Sequence, residues 1–309
     1  MATKSPSKLV SKTARAVSQL SCLAALALAS CLGTALAQQS SDAAQRLRTQ
    51  RSALDAQLQH NAFKSPLVLV STETPQGLRG DMYALMDFPF ATISSALQDP
   101  QQWCEVLILH LNTKYCHVVD GAQASLLNVN IGSKTPQTLS QSSRVALAYT
   151  VSATQTDYFE VQLNAPDGPM GTSDYHIALE AVALPANQTF LHLTYAYSAN
   201  LAARMAMQVY LGTVGSDKVG FTVLGELPDG QPIWIDGVRA VVERNTMRYY
   251  LAINSYLVTR QQPPAKRFEA SLQNWFSASE RFPQQLHEVE RPAYLEMKRA
   301  EHLRQQTAQ

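Results

Sequence analysis

GVRAVVERNTMRYYLAINSYLV, residues 237–258, contains no proline and no glycine after its first residue, and it reads as one long helix. Val238, Val242, Tyr249, Ile253 and Tyr256 fall at helical spacing on one face, which Val241 and Ala252 widen. At about 1.5 Å per residue the helix is roughly 33 Å long, enough to cross a small sheet. Asp236 stands where a carboxylate caps the first free amides. The other side mixes Arg239, Glu243 and Asn254 with Ala240, Met247 and Leu251, so cover is expected on two sides. Asn245 interrupts the apolar face at the angular position of Val238 and Tyr249. It is either a core asparagine bonded to a neighbouring backbone group or a polar group aimed into a ligand cavity.

Upstream, the chain of 309 residues opens with an expected export signal over 1–37. Lys4, Lys8, Lys12 and Arg15 precede the apolar run Leu20 to Leu32, and Ala35-Leu36-Ala37 supplies a small-x-small cleavage pattern. An exported, periplasmic product beginning at Gln38 is the expectation. The alternative is acylation of Cys31, since Leu28-Ala29-Ser30-Cys31 resembles a lipobox and would tether the protein to a bacterial membrane. No later segment approaches the ~18 consecutive apolar residues of a membrane span. Without the signal the chain holds 21 basic residues, the 25 of the whole sequence less those four, against 24 acidic. Such a balance gives no reason to expect nucleic acid.

Residues 38–77 read as an N-terminal helix, SDAAQRLRTQRSALDAQLQH, largely solvated, followed by an extended segment with proline at its start. Leu78 to Met86 has strand character and is broken by Phe88-Pro89-Phe90. Pro89 then opens a short helix to Leu97, and Asp99-Pro100 starts another. Six strand-like runs follow from Tyr115 to Ser198 with short turn signals between them, which implies an antiparallel meander. A helical stretch from Asn200 to Leu211 and glycine-containing loops lead to the long helix. Residues 261–309 resume helical patterns, with Trp275 and Phe276 available to dock this tail.

A strand, two short helices, six antiparallel strands and a long helix, together with GDMYALMDFPFATISSALQDPQQWCEVL from Gly80, resemble the START/polyketide-cyclase-like (SRPBCC-type) superfamily over residues 78–260. WCEVLILHLNTKYC and VERNTMRYYLAINSYL are also similar to a family of uncharacterised exported bacterial proteins. The superfamily resemblance implies an α+β helix-grip fold. A curved antiparallel sheet of about seven strands would wrap the C-terminal helix, with extra helices at both ends and an apolar cavity for a lipid- or polyketide-like molecule. Val242, Asn245, Tyr249, Ile253 and Tyr256 are then the candidate ligand-binding residues.

Cys104 and Cys116 are the cysteines beyond Ala37. In an oxidising compartment they are expected to form a disulfide, worth ~3 kcal/mol if unstrained. Zinc is the weaker reading, because structural sites use closely paired ligands rather than cysteines separated by 11 residues. His110 and Lys114 form either a polar helix-to-strand junction or an acid/base and a cation at a pocket rim. Asp81, Arg144, Arg239, Glu243, Arg244 and Arg248 are read as ion-pair partners between helix and sheet, or as contacts to a ligand head group. No Ser nucleophile elbow, Walker loop, dinucleotide glycine fingerprint or His-Glu metal helix occurs, so no cofactor is expected. The leading expectation is a non-enzymatic periplasmic binder or carrier of a hydrophobic molecule. The alternatives are a cyclase-, dehydratase- or hydrolase-type enzyme using His110 or Glu243 as acid/base, and an envelope protein whose helical tail docks a partner.

Overall fold

A computed structural model describes residues 41–121, 124–213 and 217–307. The expected signal, its cleavage after Ala37 and acylation at Cys31 lie outside these residues. Two compact units are present: Met1–Arg46, of which helical residues 41–46 are described, and Leu47–Gln309. The second unit opens with helical residues 47–53 (α1) and α2 (Asp55–Gln59). Leu47, Leu54 and Leu58 are buried, so this segment is less solvated than its sparse apolar content suggests.

Next come β1 (Leu67–Glu73) and β2 (Gly77–Met86), which pair antiparallel. Pro89 ends the strand and opens α3 (Phe90–Leu97). Asp99 accepts a hydrogen bond from the amide of Gln101 at 2.9 Å and so caps α4 (Pro100–Leu107), while Trp103 Nε1 donates to the Leu97 carbonyl at 2.8 Å and locks the two helices together. The chain then runs through β3 (Thr113–Asp120), β4 (Ser125–Ile131), β5 (Ser143–Thr154), β6 (Tyr158–Asp167), β7 (Thr172–Leu184) and β8 (Gln188–Ala199). Each pairs antiparallel with the next, as the turn signals imply.

The sheet order is β1-β2-β8-β7-β6-β5-β4-β3. Thus α3 and α4 carry the chain from β2 to the far edge, and the meander works back until β8 pairs with β2. Eight strands form this curved sheet, one more than expected, because the proline-led segment before β2 is a true edge strand. Beyond α5 (Leu201–Leu211), a two-stranded ribbon of β9 (Val223–Glu226) and β10 (Pro232–Trp234) stands where only loops were expected. Its strands are too short, and too interrupted by glycine and proline, to show an alternation.

The long helix α6 spans Gly237–Thr259, one residue beyond the expected end. Asp236 makes no side-chain cap; Gly237 takes a left-handed turn, φ 66°, that carries the chain into the helix. Of the 23 residues of α6, 15 are buried, so the cover expected on two sides extends over most of its surface. The sheet takes one side. The other is taken chiefly by α7 (Pro264–Ser279), with α8 (Pro283–Leu286) beside it, while α9 (Arg291–Thr307) packs on α7 and β3. Trp275 is buried, stacks on Tyr294 at 5.0 Å, and donates from Nε1 to the Arg248 carbonyl at 3.2 Å. A curved antiparallel sheet closed by this helix, with further helices at both ends, is a helix-grip α+β fold.

Helix and sheet come close together at Gly80 in β2, where an added Cβ would collide with Thr246 Oγ1 of α6. Gly80→Ala should therefore destabilise the protein by ~1–3 kcal/mol in urea unfolding, with part of the loss recovered by adding Thr246→Ala. Cys104 of α4 and Cys116 of β3 are joined in a disulfide with Cα atoms 5.2 Å apart. Replacing both by alanine should lower the urea midpoint by the equivalent of ~2–4 kcal/mol.

Candidate functional site

Inward residues of the sheet recur at every second position, and the α4–β3 turn faces them across the middle of α6. Between these parts lies a cavity of about 140 Å³. Its apolar wall comes from Val129 and Ile131 of β4, Val145 and Leu147 of β5, Ile177 of β7, and Leu107 of α4. The polar groups are Tyr175, Tyr195, His110, Asn112, Thr113, Asn245 and Tyr249. Among the described lining residues there is no carboxylate.

Tyr175, Tyr195 and Tyr249 form an aromatic corner with Tyr197: Tyr195 lies 5.2 Å from Tyr249 and 6.3 Å from Tyr175 between ring centroids. Burial pushes all three lining phenols above their ordinary value, most strongly Tyr195, so each keeps its proton at neutral pH. The Tyr175 hydroxyl lies 3.0 Å from the Thr172 hydroxyl.

His110 is 4% exposed, and its ring stacks on Tyr249 with centroids 4.8 Å apart. Its Nδ1 accepts the Asn112 amide at 3.2 Å, while Nε2 is buried with no hydrogen-bond partner. Burial, reinforced by the charges of Arg248, Lys298, Lys134 and Lys114, holds the imidazole well below its ordinary pKa. The ring is neutral, and since Nδ1 is an acceptor its proton sits on Nε2.

The tail fixes this wall from behind. Lys298 donates to the carbonyls of His110 at 2.9 Å and Thr113 at 2.6 Å, and pairs with Glu301 at 2.6 Å. Lys114 reaches the same carboxylate at 3.0 Å, and Tyr294 donates to the Leu109 carbonyl at 2.9 Å. Gln305 accepts the Cys116 amide at 3.1 Å, which occupies a hydrogen-bonding group of edge strand β3. Lys114 is thus a buried joint rather than a rim cation.

Of the expected ligand-binding residues, Asn245 and Tyr249 line the cavity. Val242 and Ile253 are fully buried in the core and do not line it. Tyr256 lies further along α6, where its hydroxyl bonds Gln102 and accepts from Arg260 at 2.8 Å. It borders a separate cleft of about 220 Å³ beside Glu105 and His302.

Glu243 lies elsewhere, fully buried. It accepts from Ser71 Oγ, Thr222 Oγ1 and the Phe221 amide at 2.6 Å each, and from the Thr222 amide at 3.0 Å. It is a structural clasp outside the cavity, whereas His110, the other acid/base candidate, lines it. Other charges are also used internally: Arg248 pairs with Glu288 at 2.8 Å, Arg239 donates to the Ser71 carbonyl at 2.9 Å, and Asp81 receives Arg79 and His192 on the outer face of the sheet. Tyr175, Tyr195 and Asn112 were not singled out beforehand. Only the inward alternation of β8, which places Tyr195 with Leu191 and Leu193, pointed toward them.

No protein-family model and no curated protein matches the chain. Solved structures with a similar outline include a conserved protein from Geobacillus kaustophilus, 15% identical, covering 45% of this chain and 85% of that one, TM-score 0.32. A START superfamily protein from Mycobacterium smegmatis is 14% identical, with coverage 44% and 89% and TM-score 0.31. Norcoclaurine synthase from Thalictrum flavum is 10% identical, with coverage 48% and 82% and TM-score 0.32. Likeness at this level says nothing of ligand or activity.

Lys298 behind the cavity has its pKa pushed down to about 8 by burial, with Glu301 offsetting part of the effect. An unfolded lysine titrates near ~10.4. Between these values the unfolded chain binds more protons, so this residue adds stability as pH rises through the window and loses it as pH falls back through it, the loss being complete below about 8. The slope of unfolding free energy against pH, measured by urea titration between about 8 and about 10, should be less positive in Lys298→Met than in the wild type.

Proposed function

We propose that this chain is an exported, periplasmic binding or carrier protein for a small hydrophobic molecule held between the sheet and α6. The observation that carries this reading is the cavity itself: six aliphatic side chains, three protonated phenols, a neutral imidazole, two amides and a threonine, without a carboxylate among the described lining residues. Such a wall suits an apolar body with one or two polar atoms. Its volume of about 140 Å³ is compact. Pockets for drug-sized ligands run to ~300–1,000 Å³, so a lipid or a multi-ring polyketide would require α6 or the α4–β3 turn to move outward. A compact ligand needs no such movement. The enzyme reading draws less support, because the buried carboxylate nominated for it, Glu243, is consumed by four hydrogen bonds away from the cavity. The partner-docking reading rests on the outer face of the tail, since Trp275 and Tyr294 are turned inward.

The test is native mass spectrometry of the protein purified from the envelope fraction of its own cells, followed by organic extraction. A stoichiometric small molecule, lost or reduced at least about tenfold in Asn245→Leu and Tyr249→Ala variants that still fold, is the expected result. A protein that is empty in its own cells and excludes hydrophobic probes rules the binding reading out.

A further inference from the structure

A second recess, of about 440 Å³, opens where the α2–β1 connection, the loop before the ribbon, the end of the ribbon and the α7–α8 turn meet. Asn61 organises the first of these. Its Nδ2 donates to the carbonyls of Gln57 at 2.8 Å, Leu58 at 3.1 Å and Ser65 at 2.9 Å, and its Oδ1 accepts from the Phe63 amide at 2.9 Å. The loop so fixed sets Phe63 against Phe221 and Phe282, with ring centroids 5.7 and 6.1 Å away, and those two rings meet edge to face at 5.4 Å. Phe221 is held in turn by its amide, which donates to Glu243. Trp234, at the end of β10, supplies a further aromatic wall.

The polar lining of this recess is cationic or neutral: Lys64, Arg281, the indole N–H of Trp234 and the amides of Gln284 and Gln285, with no carboxylate among the described lining residues. Lys64 stands in the left-handed region, φ 51°, which residues with a side chain seldom adopt, and Arg281 lies over the Phe282 ring at 5.5 Å. Among the described residues, no hydrogen bond or ion pair engages either cation, Trp234 Nε1 or the Gln285 side chain. Trp103 and Trp275, by contrast, both donate from Nε1 to backbone carbonyls. Gln285 is the most telling of the four. The residue is 5% exposed, yet its side-chain amide is not sealed in, so its open side is the recess it lines. A buried amide ordinarily has a partner, and here a ligand can be that partner.

Aromatic walls alone would accept any apolar body. Two unpaired cations and an unused N–H, with no acid to oppose them, favour a ligand that also carries an oxyanion, and a guanidinium matches the two oxygens of a carboxylate. We propose that this recess is a binding site, separate from the cavity beside α6, for a planar aromatic carboxylate. Its rings would sit between Trp234 and the Phe63–Phe221–Phe282 cluster, its carboxylate would meet Arg281 and Lys64, and the Gln285 amide is available to a ring substituent.

The nearly isosteric pair 2-naphthoate and 2-naphthamide isolates the charge, with calorimetric titration of the full chain as the measurement. An apolar cavity of ~150 Å³ accepts a single benzene ring, so a two-ring probe is too large for the cavity of about 140 Å³ beside α6. The carboxylate should bind at least about tenfold more tightly than the amide. It should also move the indole ¹H–¹⁵N resonance of Trp234 and leave those of Trp103 and Trp275, both 1% exposed, in place. Lys64 and Arg281 are exposed, so Lys64→Gln with Arg281→Gln should fold normally, lose at least about tenfold in affinity for 2-naphthoate and bind 2-naphthamide as before. Equal wild-type affinity for the two probes overturns the proposal, as does binding that leaves the Trp234 resonance unmoved or that survives the double substitution undiminished. Failure of 2-naphthoate to bind the wild type overturns it too, and because that titration needs no variant, a misfolded double mutant cannot rescue it. None of these outcomes decides the reading of the cavity beside α6, which rests on the native extraction.

Discussion

Burying most of α6 obliges the polar side chains along it to find partners, and the peripheral elements of the structure provide many of them. Glu243 is the sharpest case. A carboxylate with no solvent contact would be costly alone, and four hydrogen bonds from β1 and from residues 221–222 surround it. The neighbouring Gly220 leaves no room for a side chain between Glu243 Oε2 and Ile235, so the loop can close tightly over the carboxylate. Further along, Arg248 meets Glu288 from the tail, and Thr259 meets Ser271 at 2.6 Å. The edge strand, the loop before the ribbon and the tail are in this sense conditions for the helix.

The same logic ties the tail to the cavity. Lys298, Tyr294 and Gln305 bond the backbone of residues 109–116 from outside, and the Cys104–Cys116 disulfide closes that segment covalently. His110 therefore projects from a backbone held by one covalent and several buried polar links. A side chain held in this way keeps its direction without help from a ligand.

The sheet was legible because alternation and turn residues repeat through six strands, and the paired helices because Pro89 and Asp99-Pro100 mark their starts. The apolar face of α6 was also legible, but the extent of its contact with the cavity was not. Val242 and Tyr256 lie about seven residues to either side of Tyr249, near the same angle but ~10 Å away along the axis, beyond the ends of the cavity. Asn245 and Tyr249 occupy the middle. Glu243 is two residues from Asn245, roughly 200° around the helix, so the two could not share a site. Tyr175 and Tyr195 come from strands whose register only the folded sheet reveals. The ribbon at 223–234 and the burial of Lys114 and Lys298 had no local signal, since each depends on a partner distant in sequence.

The strand order sets an order of assembly. β2 pairs with β8 from Gly77↔Ser198 to Met86↔Thr189, so this ladder joins residues separated by more than a hundred positions in the chain. The hairpins from β3 to β8 are local and close over short turns. Chain closure over such a span brings little reward until the meander exists, which makes docking of β1 and β2 a late event in folding. During synthesis the N-terminal strands emerge first and wait, their inward Met82 and Ala84 without cover, until β8 arrives. A chain that is exported before it folds would spend this vulnerable interval under the care of holding chaperones, and its yield would be set by that wait as much as by the stability of the finished structure.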